Sequence, residues 1–543
     1  MLGGVGGALS TFAIGFIGPD SFTLMLSIGF LAAPISRITG EALMSQSPFT
    51  RNSEAEPSVR LGPVRQLING QWVDAASGET LPVESPANRR VIAQIPRGGA
   101  EDVERAVSAA EQAFTTWKAV TPAARGRLLL KIADELERHT EDLARIIAHE
   151  TGNALRTQAR PEAAMAAETF RFYGGLASEL KGDVLPLGDD ILSYTRREPL
   201  GVVGAIVPWN APVTLCAIKI APALCAGNTM VLKVAEDAPF GALLLAAVCQ
   251  QFLPPGVLNV ITGLGVEVGA PLAAHPRISK MSFTGSTAVG KGIMAAASER
   301  IVPVSLELGG KSPAIVCDDA DEDWVVQGVA MAMRFTRQSQ SCTAGSRLFL
   351  HADIYDSFME KLVKLMGSYR IGNPLDEATE MGALINRKQF NRVCGYIKDG
   401  LESKDVTLLT GGLPPTSGPL SEGYFTVPTL FASQSNTWRL AQEEIFGPVL
   451  VAIRWTDEAE AIRMANESHY GLAGYVFTRN TARGIRIAHR IDSGYMQVNQ
   501  GKGQILGQPY GGFKQSGLGK EFSLGSMLEG FSRLKTVTVN LGI

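Results

Sequence analysis

The chain runs to 543 residues, 45% hydrophobic and 19% charged, with 50 Lys and Arg against 53 Asp and Glu. That composition suits a globular enzyme of two or three structural units and excludes wholesale disorder. The formal net charge of −3, with basic residues scattered along the chain, leaves no footprint for nucleic acid and points to a small-molecule partner.

Met1 to Ile38 is largely apolar, with Asp20 its one charge before Arg37. No basic region precedes it, Pro19-Asp20 divides it, and glycines such as Gly7, Gly15 and Gly29 dilute both halves, so neither half reaches the roughly 18 to 20 apolar residues of a membrane span. An upstream start with synthesis beginning near Met44, a cleaved signal and a weak anchor are the readings left open, and residues 1–38 leave a membrane partner open with them. The polar, Pro-containing stretch to Gly62 reads as a flexible lead-in.

From about Gln66 the pattern is that of an α/β enzyme. Leu67-Ile68 and Gln71-Trp72-Val73 flank the turn signal Asn69-Gly70, which predicts a hairpin. After Gly98-Gly99, the residues Val103, Val107, Ala110, Phe114 and Trp117 recur at three- and four-residue steps and predict a helix with one buried face. Leu128, Ile132, Leu136 and Leu143 carry that spacing from Pro122 to near Thr151. Asp183 to Pro199, with its Pro and Gly breaks and the run Ile191 to Thr195, reads as a projecting hairpin. Beyond Gly201, the strand-like runs Val202–Val207, Thr229–Val234, Val257–Thr262, Lys280–Thr284 and Val302–Leu306 alternate with helical stretches, which predicts βαβ winding of a mostly parallel sheet. The alternation continues to about Ser516, and a strand near Thr536 closes the chain.

The six cysteines form no CxxC pair and sit mostly in apolar segments, which fits a reducing cytoplasm. The six histidines show no metal spacing, so no metal is expected. Gly263-Leu264-Gly265 with Gly269 misses the third glycine of a dinucleotide fingerprint by one place, so a nucleotide must be held in another way.

Candidate chemistry lies in segments far apart in sequence. Pro208-Trp209-Asn210-Ala211-Pro212 follows a strand end, where α/β sites lie, and an Asn there can aim its amide at a developing negative charge; read alone, it is a turn residue. In Leu306-Glu307-Leu308-Gly309-Gly310-Lys311 a carboxylate closes an apolar strand and two glycines admit a close approach, although a Glu307–Lys311 ion pair is the plainer reading. Gln340-Ser341-Cys342-Thr343-Ala344-Gly345 sets a thiol among small polar residues, unlike the other five cysteines, as suits a reactive group.

Together with Phe283-Thr284-Gly285-Ser286-Thr287, Glu443-Glu444-Ile445-Phe446-Gly447-Pro448 and Pro509-Tyr510-Gly511-Gly512-Phe513-Lys514-Gln515-Ser516-Gly517, these motifs resemble the aldehyde dehydrogenase superfamily from about Gln66 to the C-terminus. The resemblance implies an α/β fold with a Rossmann-like cofactor domain (residues 66–180 and 200–308), a catalytic domain (309–518) and a β-flap (181–199 and 519–543) that pairs subunits into homodimers or homotetramers, behind an N-terminal extension (1–65). It implies NAD-dependent oxidation of an aldehyde to a carboxylic acid. Cys342 would be the nucleophile, Asn210 and the Cys342 N–H the oxyanion donors, Glu307 the base that activates water, and Lys219 a further catalytic residue. Lys233 and Glu236 match adenosine-ribose contacts, Ser286 a pyrophosphate contact, Glu444 and Phe446 flank the nicotinamide ribose, and Trp209 lies beside the site. Glu236 favours NAD, because a carboxylate repels the 2′-phosphate of NADP.

Two departures stand out: the Glu307 to Cys342 interval is one residue longer than in many members, and Ala211 replaces a common Phe. With Ala211, Leu215 and Ile218 along the tunnel, a wide aliphatic channel for a medium-chain or aromatic aldehyde is expected. A CoA-acylating semialdehyde dehydrogenase typically lacks the glutamate present here as Glu307, and a non-catalytic binding protein on this scaffold would have no need of the Cys342, Asn210 and Glu307 set.

Overall fold

The computed structural model describes residues 49–50, 60–61 and 64–542. The apolar segment 1–38 and the start near Met44 lie outside them. Among the described residues, no helix is long and apolar enough to cross a membrane.

Gln66–Ile68 and Gln71–Val73 form the expected hairpin, turning through Asn69 and Gly70 at φ 52° and 74°. The next helix spans Ala100–Trp117: the Asp102 carboxylate accepts the Gly99 N–H at 3.1 Å, and Val103, Val107, Ala110 and Trp117 are buried, while Phe114 is half-buried. Pro122–Arg138 and Thr140–Thr151 follow, the second ending at Gly152 with φ 77°, a left-handed cap that glycine adopts without strain.

The hairpin edges an eight-stranded sheet whose order, read across it, is Gly517–Leu518, Val304–Glu307, Lys280–Thr284, Val202–Ile206, Thr229–Lys233, Leu258–Ile261, Gln66–Ile68 and Gln71–Val73. The five strands from Val202 to Glu307 are parallel, as expected. From Val202–Ile206 the chain adds two strands on one side and then two on the other. Strand order therefore reverses between Val202–Ile206 and Lys280–Thr284, and the crevice beyond their C-terminal ends is where such sheets bind ligands. Pro208 to Asn210 follow the first of these strands, and Gly285 and Ser286 the second.

Residues 308–312 carry the chain from Glu307 into a seven-stranded sheet ordered Val406–Thr410, Thr429–Ser433, Val449–Trp455, Arg347–His351, Pro313–Val316, Ala473–Phe477 and Tyr495–Val498, parallel except for its first pair. Cys342 precedes Arg347–His351, so it stands near the crossing that starts at Glu307.

Ile191–Pro199 pairs along its length with Ser532–Asn540, and Val184–Leu185 adds a third strand. This small sheet leaves Val184, Leu187, Leu534 and Leu541 more than half exposed, an apolar surface unusual outside an interface.

Candidate active site

A cavity of about 880 Å³ opens at the strand-order reversal, lined by Asn210, Glu307 and Cys342 as well as by Trp209, Lys233, Glu236, Ser286, Glu444 and Phe446. The structure thus gathers nine of the ten residues singled out in the sequence. The tenth, Lys219, is fully buried on the helix Pro212–Cys225 and stands behind the wall.

Cys342 Sγ lies 3.4 Å from the Tyr510 hydroxyl. Burial pushes the thiol up to about 11; the Tyr510 hydrogen bond opposes this, Glu444 and Glu307 add to it, and Arg337 lowers it. Burial, with Cys342 and Glu307 beside it, holds the Tyr510 phenol well above its ordinary value, so it stays protonated and can donate to sulfur. The other cysteines with the same burial, Cys216 and Cys249, have no such donor among the described residues and pack in the apolar core.

The Asn210 amide is held by one hydrogen bond, Nδ2 to the Gln340 carbonyl at 3.0 Å. Its second N–H is left for the cavity. The Cys342 backbone N–H has no acceptor among the described residues. Two neutral donors therefore belong to residues that line the same cavity, an arrangement that can stabilise an oxyanion formed at Cys342.

Glu307 is buried, and neither carboxylate oxygen has a hydrogen-bond partner among the described residues. The plain reading of a Glu307–Lys311 ion pair does not hold, since Lys311 Nζ is buried and unpartnered too. Desolvation raises Glu307 well above the carboxylate range, Glu521 raises it further, and Lys219 and Lys520 pull it back. Behind it Lys219 Nζ donates to Glu521 Oε1 at 2.7 Å and to the Ser282 hydroxyl at 3.0 Å.

The glycines near the site are explained by what touches them. A Cβ on Gly309 would meet the Glu444 carboxylate at 2.5 Å, one on Gly310 the Cys342 carbonyl at 2.3 Å, and one on Gly511 would meet Glu307 Oε1 at 2.6 Å. Glu444 Oε1 accepts the Gly310 N–H at 3.0 Å. Gly517 pairs with Glu307 across the sheet, and Tyr510 with Glu521 in an antiparallel bridge, so one segment presents both side chains to the reacting groups.

Three expectations need correcting. Ile218 is 1% exposed and packs with Leu472, Tyr495 and Tyr510 instead of lining the channel, because its helix turns it inward; Ala211 and Leu215 do line it. The channel is not simply aliphatic, since Tyr510, Phe522, Arg334 and Arg337 also face it. Gly265, from the stretch set aside as a broken fingerprint, lines the cavity as well. Tyr510, Glu521 and Arg337 were missed: Tyr510 stood inside a quoted motif without a role, and nothing local marks the other two.

The nucleotide half of the cavity fits a dinucleotide. Lys233, ending its strand, is paired with Glu236, Ser286 caps the helix Thr287–Ser298 by accepting from the Val289 N–H, and the Trp209 and Phe446 rings meet edge to face at 5.4 Å. A carboxylate beside a lysine at a strand end, a helix N-terminus and an aromatic wall thus lie in one crevice, groups of the kind that ribose, phosphate and nicotinamide need.

The sequence model of the aldehyde dehydrogenase family matches residues 72–537. The chain belongs to that family. "Aldehyde dehydrogenase family 2 member B4, mitochondrial" of Arabidopsis thaliana is 41% identical over 489 residues, spanning 89% of this chain and 90% of that protein. PnpE of Pseudomonas sp. WBC-3, solved in complex with nicotinamide adenine dinucleotide, superposes with a TM-score of 0.86 at 39% identity, covering 89% of this chain and 98% of that one. Betaine aldehyde dehydrogenase of Staphylococcus aureus, solved with NAD+, gives a TM-score of 0.85 at 34% identity over 89% and 95%. This chain is accordingly an NAD-dependent aldehyde dehydrogenase with the aldehyde dehydrogenase fold.

Proposed function

We propose that this aldehyde dehydrogenase forms a covalent intermediate on Cys342 and releases a free carboxylic acid by hydrolysis. The convergence of a thiol, two unspent N–H donors and an unpartnered carboxylate on one cavity carries the reading. Cys342 Sγ, as thiolate, bonds to the aldehyde carbon, and the carbonyl oxygen becomes an oxyanion held by the Asn210 amide and the Cys342 N–H. NAD, when bound, supplies the acceptor for the hydride that leaves this carbon. Glu307 then takes a proton from a water that attacks the resulting thioester, the carbon–sulfur bond breaks, and Cys342 is freed. Lys219 acts at one remove: it neutralises Glu521 behind the base and is a positioning residue.

Lys233, Glu236, Ser286, Trp209, Glu444 and Phe446 would hold the dinucleotide, with Glu236 disfavouring a 2′-phosphate. The division into cofactor domain, catalytic domain and flap is proposed with the boundaries given above, and the exposed apolar side chains of the three-stranded sheet support a homodimer or homotetramer formed through it. Six unpaired cysteines support a cytoplasmic setting. Ala211 and the cavity volume support a medium-chain or aromatic aldehyde over a very small one.

The test is Glu307→Gln. It should give one NADH per active site in a burst, followed by slow turnover and a trapped acyl-enzyme on Cys342 visible by mass spectrometry. Unchanged steady-state turnover would assign the base elsewhere.

A further inference from the structure

Six cationic side chains line the cavity that contains Cys342: Lys233, paired with Glu236; Lys388 and Arg392, on the segment tied to Glu444 and Phe446; and Arg334, Arg337 and Lys502. Arg97, Arg160, Arg277 and Arg483 each sit on at least one carboxylate, and Arg89, Arg125 and Arg347 sit on backbone carbonyls. Arg334, Arg337 and Lys502 have no carboxylate partner among the described residues. Arg334 Nη2 donates to the Lys502 carbonyl at 2.5 Å, Arg337 Nε donates to Gln158 Oε1 at 2.9 Å, and no carboxylate pairs with any of them among the described residues. The terminal nitrogens of Arg337 and the Lys502 ammonium have no protein partner at all among those residues.

Their placement is built rather than incidental. Between the helix Asp323–Met333 and Cys342 the backbone passes through Arg334, Gln338 and Ser339 at φ 60°, 50° and 52°, a left-handed conformation that non-glycine residues adopt at a cost in strain. That path sets Arg334 and Arg337 on the cavity wall. Lys502 is exposed at the rim between Gly501 and Gly503, and its carbonyl is tied to Arg334, so the charges run from the rim inward. The charge of Arg337, five residues before Cys342 in the chain, acts on the Cys342 thiol. The acid whose charge reaches Arg337 is Glu162, which spends Oε1 on the Val213 N–H at 3.0 Å and makes no ion pair with it. Burial pushes Glu162 up to about 7, so it is a weak countercharge.

We infer that the aldehyde oxidised here carries a carboxylate at its far end, held by Arg334, Arg337 and Lys502 while its aldehyde carbon meets Cys342. This rests on the catalytic reading given above and narrows its substrate class. A desolvated guanidinium with free N–H groups is costly unless an anion meets it, and its planar fork matches a carboxylate. An uncharged tail would leave those donors unpaired, and a cationic tail would be repelled. The rim lysine adds long-range attraction for an anion entering the channel.

The experiment compares kcat/KM for NADH formation within matched pairs: butanal and 4-oxobutanoate, hexanal and 6-oxohexanoate, benzaldehyde and 4-formylbenzoate. In at least one pair the carboxylate form should win by about tenfold or more, the worth of a charge-assisted contact. That advantage should shrink as salt is raised. Arg337→Gln and Lys502→Gln should each reduce the ratio several-fold, mainly through KM; Lys502 lies on the exposed rim, so its variant remains informative if Arg337→Gln folds poorly. Uncharged partners equal to or better than the carboxylates in every pair would overturn the inference while leaving the catalytic reading standing. So would a ratio that neither variant changes. Failure of every aldehyde to yield NADH would overturn both.

Discussion

Tyr510→Phe isolates the one hydrogen bond that the described residues offer the Cys342 thiol, the proposed nucleophile. The Tyr510 ring is held edge to face between Tyr495 at 5.5 Å and Phe522 at 5.6 Å, contacts that Phe keeps, so the change removes an oxygen and little else. That oxygen lies 3.4 Å from Cys342 Sγ and is the largest influence opposing the burial that lifts the thiol to about 11. A hydrogen bond to a charged group contributes about 1.5 to 3 kcal/mol, and a long contact to sulfur belongs at the lower end. Since about 1.4 kcal/mol is a factor of ten, the variant should hold roughly tenfold less thiolate at neutral pH. The measurement is the rate of iodoacetamide alkylation of the NAD-free enzyme against pH. The profile should move to higher pH, with alkylation at neutral pH falling about tenfold and the rate at high pH preserved. Superimposable profiles for the two proteins would refute the reasoning, as would a uniform drop at all pH values, which would mean that access to the thiol had changed.

The remaining expectations concern charges around the same cavity. Glu236→Ser removes the carboxylate next to Lys233 and leaves that ammonium free to attract a 2′-phosphate, so the NAD to NADP ratio of kcat/KM should fall; a ratio that stays constant would move the ribose site elsewhere. Glu521→Ala strands the Lys219 ammonium in a fully buried position, and breaking such a pair costs about 3 to 5 kcal/mol, to be read from urea unfolding; a loss well under 1 kcal/mol would mean that water reaches Lys219. Cys342 and Glu307 are both raised and both act deprotonated, so activity should be lost as pH falls and climb into the alkaline range; a maximum below neutral pH would contradict both assignments.

The parallel strands and the opening helix were legible because each carries its own period: Val103 to Trp117 repeat at helical spacing, and five apolar runs stand between turn signals. The site was legible for a different reason. Asn210 follows a strand, Glu307 closes one and Cys342 precedes one, and each stands beside small residues, which marks a place where something must approach the backbone. What stayed hidden depends on direction rather than spacing. Ile218, seven residues beyond Ala211, sits on a helix buried on nearly every side, so sequence gives no sign of which face meets the channel. Arg334 and Arg337 reach the cavity only through left-handed residues that no composition rule predicts. Glu521 becomes a neighbour of Glu307 through the pairing of Gly517 with Glu307 and of Tyr510 with Glu521, contacts across more than 200 residues in the first case.

That pairing bears on how the base works. A carboxylate as buried as Glu307 favours its neutral form, which cannot accept a proton from water. Three charges nearby tune that preference: Glu521 strengthens it, while Lys219 and Lys520 weaken it. Because Lys219 is bonded to Glu521 at 2.7 Å, the two oppose each other at Glu307, and neither can be altered without unbalancing the other. Lys520 is part-exposed and donates to the Gly511 carbonyl, on the same glycine whose missing side chain gives Glu307 its room. Two of the three charges that tune Glu307, Lys520 and Glu521, therefore lie on one short segment, Tyr510 to Glu521, which also carries the hydroxyl that meets Cys342. In the mechanism proposed above Cys342 and Glu307 act in successive steps, and groups on the same piece of chain bear on both.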